Sequence, residues 1–294
     1  INTNIRIYKK EECLMIELIG RKKENGLLKV FFKLYDLLFL MLGAYPIRCS
    51  LSYNEKEIDT SKWVIRYTTA NHFIEQEAAF CDITAENINS KSLIDIDNIH
   101  KQSIASISYI ISEYYEHVVT NHKIELITHT IDGIFMHSIY YKELLDVKRI
   151  QNSKCSDTTY YENVERVFRT FFYYHRKYNC QILEELGTTK KKFYKTISDT
   201  RNDFSHLLGK KKNRLISGKD MVYYIDLIFI AERLFVLDEM LKLKLNERMI
   251  QEYMYIMHDW IDELVNKRAD RIKSKRYTNI QKVNLIEKKL GLTE

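Results

Sequence analysis

The chain has 294 residues, of which 45% are hydrophobic, 29% charged and 12% aromatic, which excludes an intrinsically disordered chain. Eight glycines and one proline are too few for the turns of an all-β sandwich or barrel, so we predict a mainly α-helical protein. The net charge of +6 is mild, and the position of the basic clusters matters more than their sum.

The first 95 residues are predicted to form a small mixed α/β region. Its predicted elements are a strand at Leu14–Ile19, a helix at Leu27–Leu42 and strands at Ile47–Tyr53 and Trp63–Tyr67. Gly20 should end the first strand, and Gly43 should end the helix. The polar stretch Thr84–Asn98 is the predicted boundary of the region. Because the chain begins at Ile1, we expect this region to be the end of a larger sensor or regulatory domain.

Beyond this boundary the sequence becomes helical. The predicted helices are His100–Val119, Lys123–Val147, Thr158–Leu186, Thr189–Leu208, Gly218–Leu245, Gln251–Lys267 and Ile280–Leu290. The fifth is apolar from Met221 to Ala231 except at Asp226, which places it at the centre of a bundle. The predicted organisation is therefore a mixed region at 1–95, an antiparallel helical bundle at 96–250 and a C-terminal helical extension at 251–294.

Patterns for metal, membrane and nucleotide-loop chemistry are missing from the sequence. The five cysteines, Cys13, Cys49, Cys81, Cys155 and Cys180, are scattered and read as reduced thiols of a cytosolic protein. No apolar run reaches the length of a membrane span. HExxH, GxSxG and a Gly-rich phosphate loop do not occur. We therefore expect a cytoplasmic protein with no membrane contact, no metal and no cofactor.

A short motif, an Arg followed five or six positions later by a His, carries the main functional signal. The pattern occurs at Arg66…His72, Arg169…His175 and Arg201…His206. The first copy lies outside the predicted bundle, and the second lies in an aromatic helix where packing explains it. The third includes Asn202 directly after its Arg, lies near the end of a helix and precedes the long apolar helix. Context therefore selects the third copy.

This segment, Thr200–His206, resembles the R-x(4–6)-H motif of the HEPN superfamily and is closest to the ApeA-like branch of bacterial anti-phage proteins. The resemblance covers about residues 100–245. It includes Ile127–His137, which is similar to an early bundle helix of that branch, with Asp132 where that branch has Glu. It implies a HEPN-type bundle and a ribonuclease that acts as a dimer, with both motifs facing one cleft.

A helical projection at about 100° per residue separates the motif helix into two faces. Its core stripe contains Phe193, Ile197, Phe204 and Leu208, and the opposite polar row contains Lys195, Asp199, Asn202 and His206. Arg201 falls at the edge of the core stripe, where its stem can pack and its guanidinium can emerge. Since Arg201 and His206 point in different directions, we expect a site completed across the two-fold axis of a homodimer.

Basic residues flank the motif on both sides. Those assigned to RNA binding are Lys195 before it and Lys210, Lys211, Lys212 and Arg214 after it, and Lys190, Lys191 and Lys192 extend the first run. A solvated surface loop is the alternative explanation for such a run. Next to a ribonuclease motif, the cations predict a track for RNA phosphates.

The predicted function is a metal-independent endoribonuclease of anti-phage defence, in which 2′-OH attack leaves a 2′,3′-cyclic phosphate. His206 would transfer protons, Arg201 would hold the phosphate, and Asn202 would orient His206 or the scissile phosphate by a hydrogen bond. Expected partners are RNA, a second copy of the chain, and a phage-derived trigger or an antitoxin. The alternatives are a non-catalytic module that binds nucleic acid or protein, and the toxin half of a toxin–antitoxin pair. In a purely structural role, Arg201 would pair with Asp199 or Asp203 and His206 would cap the helix.

Overall fold

The chain is mainly helical in the computed structural model, as the composition predicts. The structure describes residues 3–10, 13–20, 24–43, 52–57, 79–96, 120–135, 159–176, 182–184, 186–206, 215–216 and 220–253. No helix within these ranges is long and apolar enough to cross a membrane. The predicted helices at 100–119 and 280–290 and the strand at 63–67 lie outside them.

The N-terminal residues form an antiparallel hairpin. Strand β1 (Thr3–Lys10) pairs with β2 (Cys13–Gly20) in a register that places Lys10 opposite Cys13. Ile5, Ile7, Ile16 and Leu18 share the face that packs on the core. The strand predicted at Leu14–Ile19 is confirmed, whereas β1 was not predicted.

Helix α1 (Glu24–Leu42) is an apolar helix whose second half is almost completely buried. It ends where the sequence predicts, because Gly43 takes φ +82° and its N–H donates to Phe39 O at 2.8 Å. Phe39 lies 6.2 Å, ring centre to ring centre, from Phe229 of the bundle. The predicted helix of the mixed region therefore packs in the same core as the bundle.

The structure describes a short hairpin and most of the polar segment after helix α1. Strands β3 (Ser52–Tyr53) and β4 (Lys56–Glu57) pair as a short hairpin, and β3 is the described part of the strand predicted at Ile47–Tyr53. Helix α2 (Ser90–Asp95) begins with a capping box at Asn89. Asn87 exchanges hydrogen bonds with the backbone of Lys244. These bonds tie the segment to the end of the bundle, and the division at residue 95 stays a prediction.

Among the described residues, four helices pack as a bundle: α3 (Thr120–Phe135), α4 (Tyr160–Tyr174), α5 (Lys190–His206) and α6 (Asp220–Phe235). Helix α6 packs on both α3 and α4, and α5 packs on the same two helices from another side. Nearly every side chain of α6 is buried, so its predicted central position is confirmed. It continues into a π-helical turn, Val236–Met240. Residues 247–253 are helical, earlier than the predicted start at 251.

The single long helix predicted at Thr158–Leu186 is wrong. Helix α4 ends at Tyr174, and the ring of the next residue, His175, turns inward so that Nδ1 lies 2.6 Å from Phe171 O. A further helical turn at residues 182–184 ends at Gly187, whose φ is +59°. Thr189 then caps α5, accepting the Lys192 N–H at 3.4 Å, as the sequence predicts.

Candidate active site

The motif arginine is held by a carboxylate on another helix. Arg201 of α5 donates through Nη2 to Asp132 Oδ2 of α3 at 2.8 Å. The two side chains are 24% and 23% exposed, so the pair lies at the surface end of the α3–α5 contact. The structural alternative therefore named the wrong partners, because Arg201 makes its described ion pair with Asp132 rather than with Asp199 or Asp203.

A third helix completes the environment of this ion pair. Asn163 of α4 donates through Nδ2 to the second oxygen of Asp132 at 3.2 Å. The guanidinium carbon of Arg201 lies 5.0 Å from the ring centre of Tyr160, also on α4. The Tyr160 hydroxyl in turn donates to Thr128 O on α3. Arg201 is thus oriented by contacts from two neighbouring helices, and its charge faces the seam between them.

The buried and exposed faces of the described part of α5 agree with the helical projection. Phe193 and Ile197 are buried, Phe204 is partly buried and Lys195 is exposed. Asn202 accepts from Arg201 Nη1 at 3.2 Å. His206 is the last residue of α5, and its side chain is outside what the structure describes. The orienting role of Asn202 toward His206 stays a prediction.

The basic residues after the motif, Lys210, Lys211, Lys212 and Arg214, also lie outside the described residues. Both ends of the segment that carries them are nevertheless placed. The segment leaves α5 at His206, and at its other end the Ile216 N–H donates to Thr200 Oγ1 at 3.0 Å. Thr200 is fully buried and directly precedes Arg201. The segment therefore starts and ends at the Arg201 end of the helix.

A second histidine lies at the contact between α3 and α5, and the sequence analysis gave it no role. His129 of α3 has Nε2 within 3.1 Å of Ser205 Oγ on α5. Burial, and then the positive charge of Arg201, lower the pKa of His129 below its ordinary value. A neutral imidazole therefore lies beside the motif at pH 7. The sequence contained a signal for His129, since this residue belongs to the Ile127–His137 segment that carries the resemblance.

The competing motif Arg169…His175 is explained by packing, as predicted. His175 has no exposed surface, and its ring centre lies 4.2 Å from that of Phe171. Burial lowers the pKa of His175 to about 4, so the ring is neutral in the core. Its replacement would open a cavity and destabilise the protein. The remaining copy, Arg66…His72, lies outside the described residues.

Within the described ranges, no three His, Cys, Asp or Glu side chains are grouped as metal ligands would be. Cys81 is a buried free thiol. No family model matches the chain, and comparison with curated proteins and with solved structures returned no significant match.

Substitution of Asp132 tests whether it positions Arg201. Asp132→Asn removes the charge that holds the guanidinium, and a displacement of about 1 Å can cost up to 10²-fold in rate. We expect RNA cleavage to fall about tenfold or more in kcat, and the free energy of unfolding to change by about 1 kcal/mol or less, since the pair is partly exposed. Asp132→Glu keeps the carboxylate and should retain most of the activity. Equal loss in both variants would contradict a positioning role.

Proposed function

We propose that this protein is a metal-independent endoribonuclease of HEPN type that cleaves single-stranded or loop RNA in bacterial anti-phage defence. The observation that carries the proposal is the Arg201 guanidinium, about one quarter exposed and held by Asp132, in the helix that ends at His206. An arginine fixed in this way is prepared to receive a phosphate. The ion pair to Asp132 uses only part of its N–H donors.

RNA provides its own nucleophile, so the enzyme needs no nucleophilic side chain. One group must take the proton of the 2′-OH, another must stabilise the charge of the pentacoordinate phosphate, and a third must protonate the leaving 5′-oxygen. Arg201 supplies the charge, and His206 is one proton-transfer group. His129, which contacts Ser205 directly before His206, is the second. The products are a 2′,3′-cyclic phosphate and a 5′-hydroxyl.

The basic segment after α5 supports an RNA substrate. Lys210 is four residues from His206, so its Cα lies within about 14 Å of the Cα of His206 whatever path the chain takes. Lys211, Lys212 and Arg214 lie between this point and Ile216, which is bonded to Thr200. Because both described ends of the segment lie at the Arg201 end of α5, its cations would be available to the RNA phosphates that pass Arg201.

A two-fold homodimer is part of the proposal. Arg201 contacts the neighbouring helices α3 and α4, whereas Lys195 of the opposite row is exposed. The row of Lys195, Asp199, Asn202 and His206 is the face that would meet its mate. In such a dimer, Arg201 of one subunit and His206 of the other would act on the same phosphate. The N-terminal region would carry the response to a phage-derived trigger or an antitoxin.

The pH dependence of cleavage tests the role of His129. Since its pKa lies below the ordinary value of 6.5, His129 is neutral at pH 7 and can accept a proton. We expect the rate to fall as the pH drops through this lowered pKa, because the protonated ring accepts none. His129→Asn should lower the rate about 10²-fold or more and remove this acidic limb of the profile. A variant profile with the limb unchanged would exclude His129 from proton transfer.

A further inference from the structure

A groove lies between α4 and α5 at the end of α5 that is remote from Arg201. Its volume is about 300 Å³, and it is lined by Glu165, Arg169, Phe172, Tyr173, Lys190 and Tyr194. The two helices run in opposite directions, because Tyr160 of α4 meets Arg201 whereas Phe172 meets Lys190. Eleven residues separate Lys190 from Arg201, which is about 16 Å along the helix axis.

The groove combines exposed aromatic surface with positive charge. Tyr173 is 59% exposed, the largest value among the bulky hydrophobic side chains of the described residues. Arg169 and Lys190 line the same groove and are exposed, and Lys190 Nζ lies 4.6 Å from the ring centre of Phe172. An accessible ring beside two cations is the combination that binds a base and its phosphate together.

The start of α5 increases the positive potential of this groove. Lys190 is the first residue of the helix, and the exposed Lys191 and Lys192 follow it. The amide groups of the first turn carry the positive end of the helix dipole. Glu165 is the one acidic side chain of the lining. A carboxylate only accepts hydrogen bonds, so it suits the amino edge of a base rather than a phosphate.

We propose that this groove binds one nucleotide of a single-stranded RNA, with the base stacked on Tyr173 and the phosphate held by Arg169 and Lys190. The inference rests on the proposed function and extends it. The groove lies between α5, which carries Arg201, and α4, which contacts Arg201, and it gives the RNA a second point of attachment. A free mononucleotide also has a base and a phosphate, so the experiment below compares the binding of AMP with that of RNA. The strand would run along the α4–α5 seam toward Arg201.

Binding of a 2′-O-methyl oligonucleotide tests the proposal, because RNA without a free 2′-OH cannot be cleaved by 2′-OH attack. Fluorescence anisotropy would measure the Kd of the full chain for a labelled single strand of about 12 nucleotides, within the usual site sizes. Tyr173→Ala should raise the Kd about fivefold or more, since stacking of one base contributes at least about that factor. Tyr173→Phe, which keeps the ring, should bind like the wild type.

Two charge variants complete the test. Replacing Arg169 and Lys190 together by Gln should lower the slope of log K against log salt by about 0.7, since the two cations share one phosphate and each phosphate contact on a single strand contributes about that much. Lys242→Gln and Arg248→Gln remove exposed cations elsewhere on the chain and should leave binding unchanged. Wild-type affinity in the Tyr173→Ala protein and in the Arg169/Lys190 double variant would overturn the proposal. So would AMP that binds as tightly as the oligonucleotide.

These experiments distinguish failure of the groove proposal from failure of the ribonuclease proposal. If the chain binds RNA through Tyr173 but does not cleave it, the groove proposal is supported and the ribonuclease proposal is contradicted. If the chain cleaves RNA and its Tyr173→Ala variant binds and cleaves RNA like the wild type, the ribonuclease proposal is supported and the groove proposal is contradicted.

Discussion

Replacing His206 by Ala should lower the rate of RNA cleavage by about 10²–10⁴-fold, because the change removes a proton-transfer group. The free energy of unfolding should change by no more than about 0.5 kcal/mol, because the helical projection places His206 opposite the core stripe. His206 is the last residue of α5, and the buried contacts of this helix are made upstream by Phe193 and Ile197. Cleavage of a labelled RNA, measured beside thermal melting, checks both parts.

Arg201→Ala should also abolish cleavage, with a larger effect on folding. The change leaves Asp132 without its ion pair and Tyr160 without its cation, which we expect to cost about 1–2 kcal/mol. Arg248→Ala, at an arginine whose side chain is 87% exposed, is the matched control and should cleave normally. Normal cleavage by His206→Ala would show that the motif is not catalytic.

Mixing the two inactive variants tests the shared site within the same experiment. In a heterodimer of Arg201→Ala with His206→Ala, one of two composite sites would contain both native residues. Partial recovery of cleavage is therefore expected. If each subunit contains a complete site of its own, the mixture stays inactive.

Replacing Arg233 by Met should destabilise the protein by about 3–5 kcal/mol, the largest effect on folding that we expect, because each of two hydrogen bonds from a charged donor contributes about 1.5–3 kcal/mol. Arg233 has no exposed surface and donates to Leu40 O at 2.8 Å and to Met41 O at 3.0 Å, at the end of α1. Its guanidinium carbon lies 4.0 Å from the ring centre of Phe80. Met fills much of the same space but donates no hydrogen bond, so the carbonyl groups of Leu40 and Met41 each lose the bond from the guanidinium, and Met41 O keeps the one from the Phe80 N–H.

Urea unfolding of the variant would measure this loss, with Arg248→Met as the exposed control, for which a change within about 0.5 kcal/mol is expected. Burial lowers the pKa of Arg233 to about 10, so the side chain remains charged at neutral pH and also complements the carbonyl end of α1. A loss below about 1 kcal/mol would mean that the contact of α1 with α6 contributes little to the stability of the bundle.

Local sequence signals were sufficient to predict much of the helical framework. Gly43 marks the end of α1 because a positive φ costs little conformational energy in glycine, and Thr189 marks the start of α5. The period of Phe193 and Ile197 identified the buried face of α5. Periodicity failed between residues 158 and 186, because the helix ends at a cap in which His175 turns inward to Phe171 O, and the spacing of apolar residues does not record such a cap.

The partner of Arg201 shows what local patterns leave out. On the helical projection Asp199 and Asp203 lie about 160° from Arg201, so neither can reach it easily along the same helix. Asp132 is 69 positions away in sequence, and only the packing of α3 against α5 brings the two together. The signal that existed was the Ile127–His137 segment, which contains both Asp132 and His129.

The most direct test of the central claim is to incubate labelled single-stranded RNA with the purified protein in EDTA and to identify the new ends. The account predicts cleavage that leaves 2′,3′-cyclic phosphate and 5′-hydroxyl ends, and no cleavage of DNA or of 2′-O-methyl RNA. Absence of cleavage, cleavage only after Mg²⁺ or Mn²⁺ is added, or products with free 3′-hydroxyl ends would contradict it.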